Sequence, residues 1–136
     1  MTREPSLYPS LLLTATYHGH EEVVELLLAR KGIQVNKAAP ESGDTPLIIA
    51  AQRGHGKVVE LLLKKNNILV NKTNNNVSTP LYAAAINGHV AVVELLLKNN
   101  GVHVNEADKN GDTPLSAAAW WGHEKVVEKT PGKRRY

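Results

Sequence analysis

The chain has 136 residues, with no cysteine, no phenylalanine, one methionine, two tryptophans and a formal net charge of +3. The lack of cysteine excludes a disulfide framework and a thiolate metal site, and no apolar run approaches the roughly 20 residues a membrane span needs. Lys129, Lys133, Arg134 and Arg135 supply four of the positive charges, which leaves the rest of the chain at −1 and argues against a basic folded face for nucleic acid.

Residues 1–9 carry two prolines and no repeat pattern, and they lack the basic start and apolar run of a secretory signal, so an intracellular chain is expected. From Ser10 to Leu28 the chain reads SLLLTATYHGHEEVVELLL, and a closely related stretch, TPLIIAAQRGHGKVVELLL, begins 35 residues later at Thr45. The pattern returns after 34 residues at Thr79 as TPLYAAAINGHVAVVELLL, and after 34 more at Thr113 as TPLSAAAWWGHEKVVE. A fixed period of this size marks a solenoid of stacked units. The boundaries fall near 6–36 (cap-like), 37–71, 72–105 and an incomplete 106–130, followed by a basic tail over 131–136, all within one domain.

In the first copy Ser10 stands where Thr stands later and Leu11 replaces Pro, which predicts a helix starting earlier and acting as a degenerate cap. In each later copy Thr45, Thr79 or Thr113 is a predicted N-cap, followed by Pro46, Pro80 or Pro114 at the first helical position. A short first helix then runs over 47–53, 81–87 or 115–121, and Gly19, Gly54, Gly88 and Gly122 supply the left-handed turn that ends it. The second helix carries V-V-x-L-L-L, for example Val58 to Leu63 and Val92 to Leu97, apolar over more than one stripe and so expected to be buried on two sides.

Connectors end in Val35-Asn36, Val70-Asn71 and Val104-Asn105, and the first holds one extra residue around Ala39-Pro40. Lys109 to Asp112 has turn chemistry with Gly111 at the position expected to need positive φ. Asn75 to Ser78 has no glycine there, so Asn74 to Asn76 are expected to absorb the strain.

These units, with T-P-L, Ala-Ala, Gly-His, V-V-x-L-L-L and V-N over roughly Ser10 to Glu128, resemble the ankyrin repeat. The resemblance implies an all-α solenoid of helix–turn–helix units with hairpin-like tips, about three full repeats plus one incomplete. It implies protein–protein recognition through a concave face, without catalysis or cofactor. Carried over by register, the first-helix positions on that face are Tyr17, His18, Gln52, Arg53, Ile86, Asn87, Trp120 and Trp121. The tip positions are Glu41, Ser42 and Asp44, then Asn75, Asn76 and Ser78, then Lys109, Asn110 and Asp112.

This sequence departs from the family in three places, one of them a connector after the leucines that is one residue longer than the commonest form. The His that usually follows T-P-L is Leu13, Ile48, Tyr82 and Ser116, so its side-chain hydrogen bond is expected to be absent throughout. Lys129, Thr130 and Pro131 occupy the slots of Leu26, Leu27 and Leu28, which predicts an array cut short after about one turn of the last helix.

His20, His55, His89 and His123 recur once per unit and cannot converge on one metal ion, so they are expected to be turn residues bonding nearby backbone. Glu25, Glu60, Glu94 and Glu128 read as the polar side of the second helix, and no triad, P-loop or dinucleotide fingerprint is present. Two Asn-x-Ser/Thr matches, at Asn71 and Asn76, read as chance, and the Lys133-Arg134-Arg135 end as a solvated tail. The adjacent Trp120 and Trp121 either bind a partner or fold over the open end of the core. The alternatives to a dedicated recognition module are an isolated or engineered scaffold fragment, a targeting module of a longer enzyme or effector, and self-association of a monomer through its uncapped last repeat.

Overall fold

The computed structural model describes residues 10–131. Among these the regular structure is eight helices and no strand: α1 (Leu11–Tyr17), α2 (Glu21–Leu28), α3 (Pro46–Arg53), α4 (Gly56–Leu63), α5 (Pro80–Ile86), α6 (Val90–Leu97), α7 (Pro114–Trp120) and α8 (Glu124–Lys129). Each odd-numbered helix pairs with the even one after it. The odd helices stack on one another as one layer and the even helices as a second. The lead-in over residues 1–9 and the basic end over 132–136 lie outside the described residues.

Local chemistry sets the helix boundaries. Thr45, Thr79 and Thr113 sit in extended conformation, and each Oγ1 accepts from the amide three residues on at 3.1 Å. Ser10 does the same for Leu13 at 3.0 Å, so α1 begins at Leu11 and not earlier, as the missing proline had suggested. The hydroxyl alone is enough to start the helix there.

The core is built from the same register in every unit. Leu12, Leu47 and Leu81, with Ala15, Ala50, Ala84 and Ala118, line the odd layer, while Val24, Val59, Val93, Leu62 and Leu96 fill the even layer. Alanine lets the odd helices approach more closely than the leucine-lined even ones, and their mutual contacts are correspondingly more extensive.

Of the two valines in V-V, the first faces the preceding unit and the second the following one. Val58, Val92 and Val126 are buried while Val23, with no preceding unit among the described residues, is 46 % exposed; Val24, Val59 and Val93 are buried while Val127 is 37 % exposed. Burial on two sides therefore holds for the interior helices and fails on the outer side of α2 and α8. Thr16 takes a slot that is alanine elsewhere and is buried with its hydroxyl unpartnered.

The last unit closes differently from the others. α8 has six residues against eight in α4 and α6, and it ends where Thr130 turns extended ahead of Pro131. Thr130 is buried in the place of Leu27, Leu62 and Leu96, and its hydroxyl donates to the Val126 carbonyl at 2.7 Å, which makes a polar group tolerable there.

Two side-chain devices tie connector to connector. Asn36 donates to the Asn67 carbonyl at 2.8 Å and accepts from the Leu69 amide at 2.9 Å; Asn71 repeats this with Gly101 and His103, each at 2.8 Å. The extra residue of the first connector shows in its tip, where Gly43 bonds back four residues to Ala39 while Val77 and Gly111 bond back three.

Candidate partner-binding face

Tyr17, Gln52, Ile86 and Trp120 fall at the same place near the ends of α1, α3, α5 and α7, so the stacked helices set them in a row. The backbone of that row is held from the next unit. The Nε2 of His55 donates to the Tyr17 carbonyl at 3.1 Å, that of His89 to Gln52 at 3.0 Å, and that of His123 to Ile86 at 2.9 Å. A carbonyl only accepts, so each ring carries its proton on Nε2. The expectation of bonds to nearby backbone is thus corrected: these histidines reach back 37 or 38 residues and lock one unit to the one before. A helix-ending glycine makes room for each ring. A Cβ on Gly54 or Gly88 would stand 2.6 Å from the following imidazole, so the absent side chain serves close approach as well as the left-handed turn.

The row itself is uneven. Trp120 is 83 % exposed and Trp121 61 %, so neither indole folds over the open end of the core. Tyr17 is exposed on one face, while the Arg53 guanidinium covers the other at 4.0 Å from the ring centroid. His18 meets the same tyrosine edge-on and stacks on His20. Gln52 interrupts the apolar row, and Ile86 is half-buried. Asn87 is exposed, with its amide donating to the Ala83 carbonyl at 2.8 Å.

The tips form a chain of hydrogen bonds from unit to unit. The Asn75 side chain donates to the Glu41 carbonyl at 2.8 Å and its amide to the Ser42 carbonyl at 3.0 Å, and the Lys109 amide donates to the Asn76 carbonyl at 3.1 Å. Asp44 accepts from the Asn74 amide group at 2.8 Å. Glu41, Ser42, Asn76, Lys109, Asn110 and Asp112 keep exposed side chains along this rim, whereas Ser78 is buried at 8 % exposure and contributes no side chain to it.

Two further features depart from expectation. Val77, in the place of Gly43 and Gly111, itself adopts the left-handed region with φ of 59°, so the strain sits on a β-branched residue and not on Asn74 to Asn76. Asn74 Oδ1 accepts from the amides of Asn76 and Ser78 at 2.9 and 3.0 Å and holds the turn in that shape. The exposed Val77 side chain also places an apolar group on the tip that the candidate residues above do not include; a valine in a glycine column was its signal.

The second departure is that a side-chain bond does exist at the position after T-P-L. The buried Tyr82 donates its hydroxyl to Asp108 of the next tip, and burial together with that carboxylate pushes its pKa up to about 12. Burial of Asp108 opposes its charge, but the Asp112 amide, the Tyr82 hydroxyl and the Asn110 amide outweigh it and hold the carboxyl below its ordinary value. Ser116 completes a capping box with Thr113.

Among the described residues there is no group of three or more His, Cys, Asp or Glu placed to hold a metal ion, and no helix is long and apolar enough to cross a membrane. In comparison with known proteins, the family model for ankyrin repeats (3 copies) matches residues 3–74 and 67–129. The search of curated proteins finds no match. Matched over nearly its whole length, and built of the stacked helix pairs described above, the chain belongs to the ankyrin repeat family.

Proposed function

We propose that the chain is a protein-recognition module that grips its partner with the odd-helix row and the adjoining tips, without catalysis. The observation that carries this reading is the pair Trp120 and Trp121, the only tryptophans in the chain, both standing in solvent at the end of a row whose other three members, Tyr17, Gln52 and Ile86, have their carbonyls held by the next unit's histidine. Burying such rings against a partner releases apolar area at little conformational expense, and tryptophan and tyrosine dominate binding hot spots. Tyr17 and Ile86 extend the row, and Glu41, Asn76, Lys109 and Asp112 give it a polar rim. The recurring histidines are committed to the scaffold, which leaves the row to contact and not to chemistry.

The test compares the chain with a Tyr17→Ser, Ile86→Ser, Trp120→Ser variant in a pull-down from cell lysate, with folding checked by circular dichroism. The expected outcome is a protein retained by the parent chain and lost by the folded variant. Retention of the same protein by both would move the binding site off this face.

A further inference from the structure

The stacking interface occurs three times, and among the described residues the counterparts of both its halves are exposed in the first and last units. On the N-terminal face Leu11, Val23 and Leu26 are exposed, although Pro46, Val58 and Leu61 in the same positions are buried. On the C-terminal face Ala119 and Val127 are exposed and Leu115 half-buried, although Ala85, Val93 and Leu81 are buried.

The polar pairings are open in the same register. His20 stands in the position of His55, His89 and His123 but has no preceding carbonyl among the described residues. The Trp120 carbonyl stands in the position of the three acceptors, with no histidine of a following unit against it among the described residues. A Cβ built on Gly122 meets nothing within 4 Å, whereas on Gly19, Gly54 and Gly88 it meets the next unit's histidine at 2.8, 2.6 and 2.6 Å. Asn105 repeats Asn36 and Asn71 and is exposed; by register the groups it would clasp are the Gly32 carbonyl and the Gln34 amide, at the other end of the chain.

We propose that a second copy of this chain occupies the open C-terminal face, docked head to tail through its own N-terminal face. Leu11, Val23 and Leu26 of one copy cover Leu115, Ala119 and Val127 of the other. The His20 ring donates to the Trp120 carbonyl, and Asn105 clasps the Gly32–Gln34 connector. The contact is continuous with the interface already present between units, and its apolar and polar parts match in one register. It is heterologous, so it does not close on two copies and association is open-ended. The odd-helix row stays uncovered, so this inference is independent of the proposed partner-binding face.

Sedimentation equilibrium over a wide concentration range tests it, with two charge variants. Val23→Glu blocks only the N-terminal face and Val127→Glu only the C-terminal face, and both sites are exposed in a single copy, so the fold survives and circular dichroism confirms it. The parent chain is expected to rise in mass with concentration beyond two chains of 14.8 kDa. Each variant alone stays at one chain, and their equimolar mixture stops at two, because one intact face of each kind remains. His20→Ala and Asn105→Ala, milder changes, each weaken association by about five- to tenfold. A parent chain that is monomeric at every concentration overturns the proposal. So does a variant that associates as the parent does, or a mixture no heavier than its components.

Discussion

At the scale of single residues, the tip that holds Val77 concentrates strain. Gly43, Val77 and Gly111 share one slot, with φ of 76°, 59° and 84°, and only valine pays a steric penalty there. A side chain in this region costs about 1–3 kcal/mol, while a glycine loses about 0.5–1 kcal/mol more backbone entropy on folding. Val77→Gly should therefore stabilise the chain by about 1 kcal/mol, read as a higher urea midpoint with unchanged slope. A lower midpoint would show that the Asn74 bonds leave no strain to relieve. Because the valine is exposed beside the proposed rim, partner capture is the companion readout: weaker capture by the more stable variant would assign the strain to binding.

At the scale of elements, Tyr82 straps α5 to the following tip. The folded pKa of about 12 lies above the ordinary 10, first because burial disfavours the phenolate and then because of Asp108, so the stability that rests on the buried, protonated phenol is fully present below pH 10. It is lost as pH rises from 10 toward 12, where the unfolded chain releases the proton and the folded one retains it. The loss is on the order of 2–3 kcal/mol, and Tyr82→Phe should abolish most of it while removing about 1 kcal/mol at neutral pH. Denaturant melts of both chains at neutral and alkaline pH check this; parallel alkaline losses would mean that the strap is not the titrating element. Asp108 has the opposite sign: its depressed pKa stabilises the fold above the ordinary 3.8, and that stabilisation fades as pH falls below it.

At the scale of the whole molecule, stability in a stack is a sum of units and nearest-neighbour interfaces, so the ends are the weakest parts. α8 is short, has one neighbour in the even layer, and lies behind an exposed Val127. Hydrogen exchange followed by mass spectrometry at low protein concentration should show α8 amides exchanging well ahead of those of α4 and α6. Protection of α8 equal to that of the interior helices would show that its outer face is covered.

The sequence by itself determined the period, the Thr-Pro starts and the glycine stops, because caps, left-handed turns and helical periodicity act over a few neighbouring residues. It also placed Tyr17, Gln52, Ile86 and Trp120 in one register. Only the tertiary structure decided that the histidines bridge units 37 or 38 residues apart, that Tyr82 finds Asp108, that Ser78 is buried and that both tryptophans stand free of the core. Those outcomes depend on how far one unit lies from the next and at what angle. That distance and angle arise from alanine-lined and leucine-lined layers packing together, which no local stretch of sequence encodes.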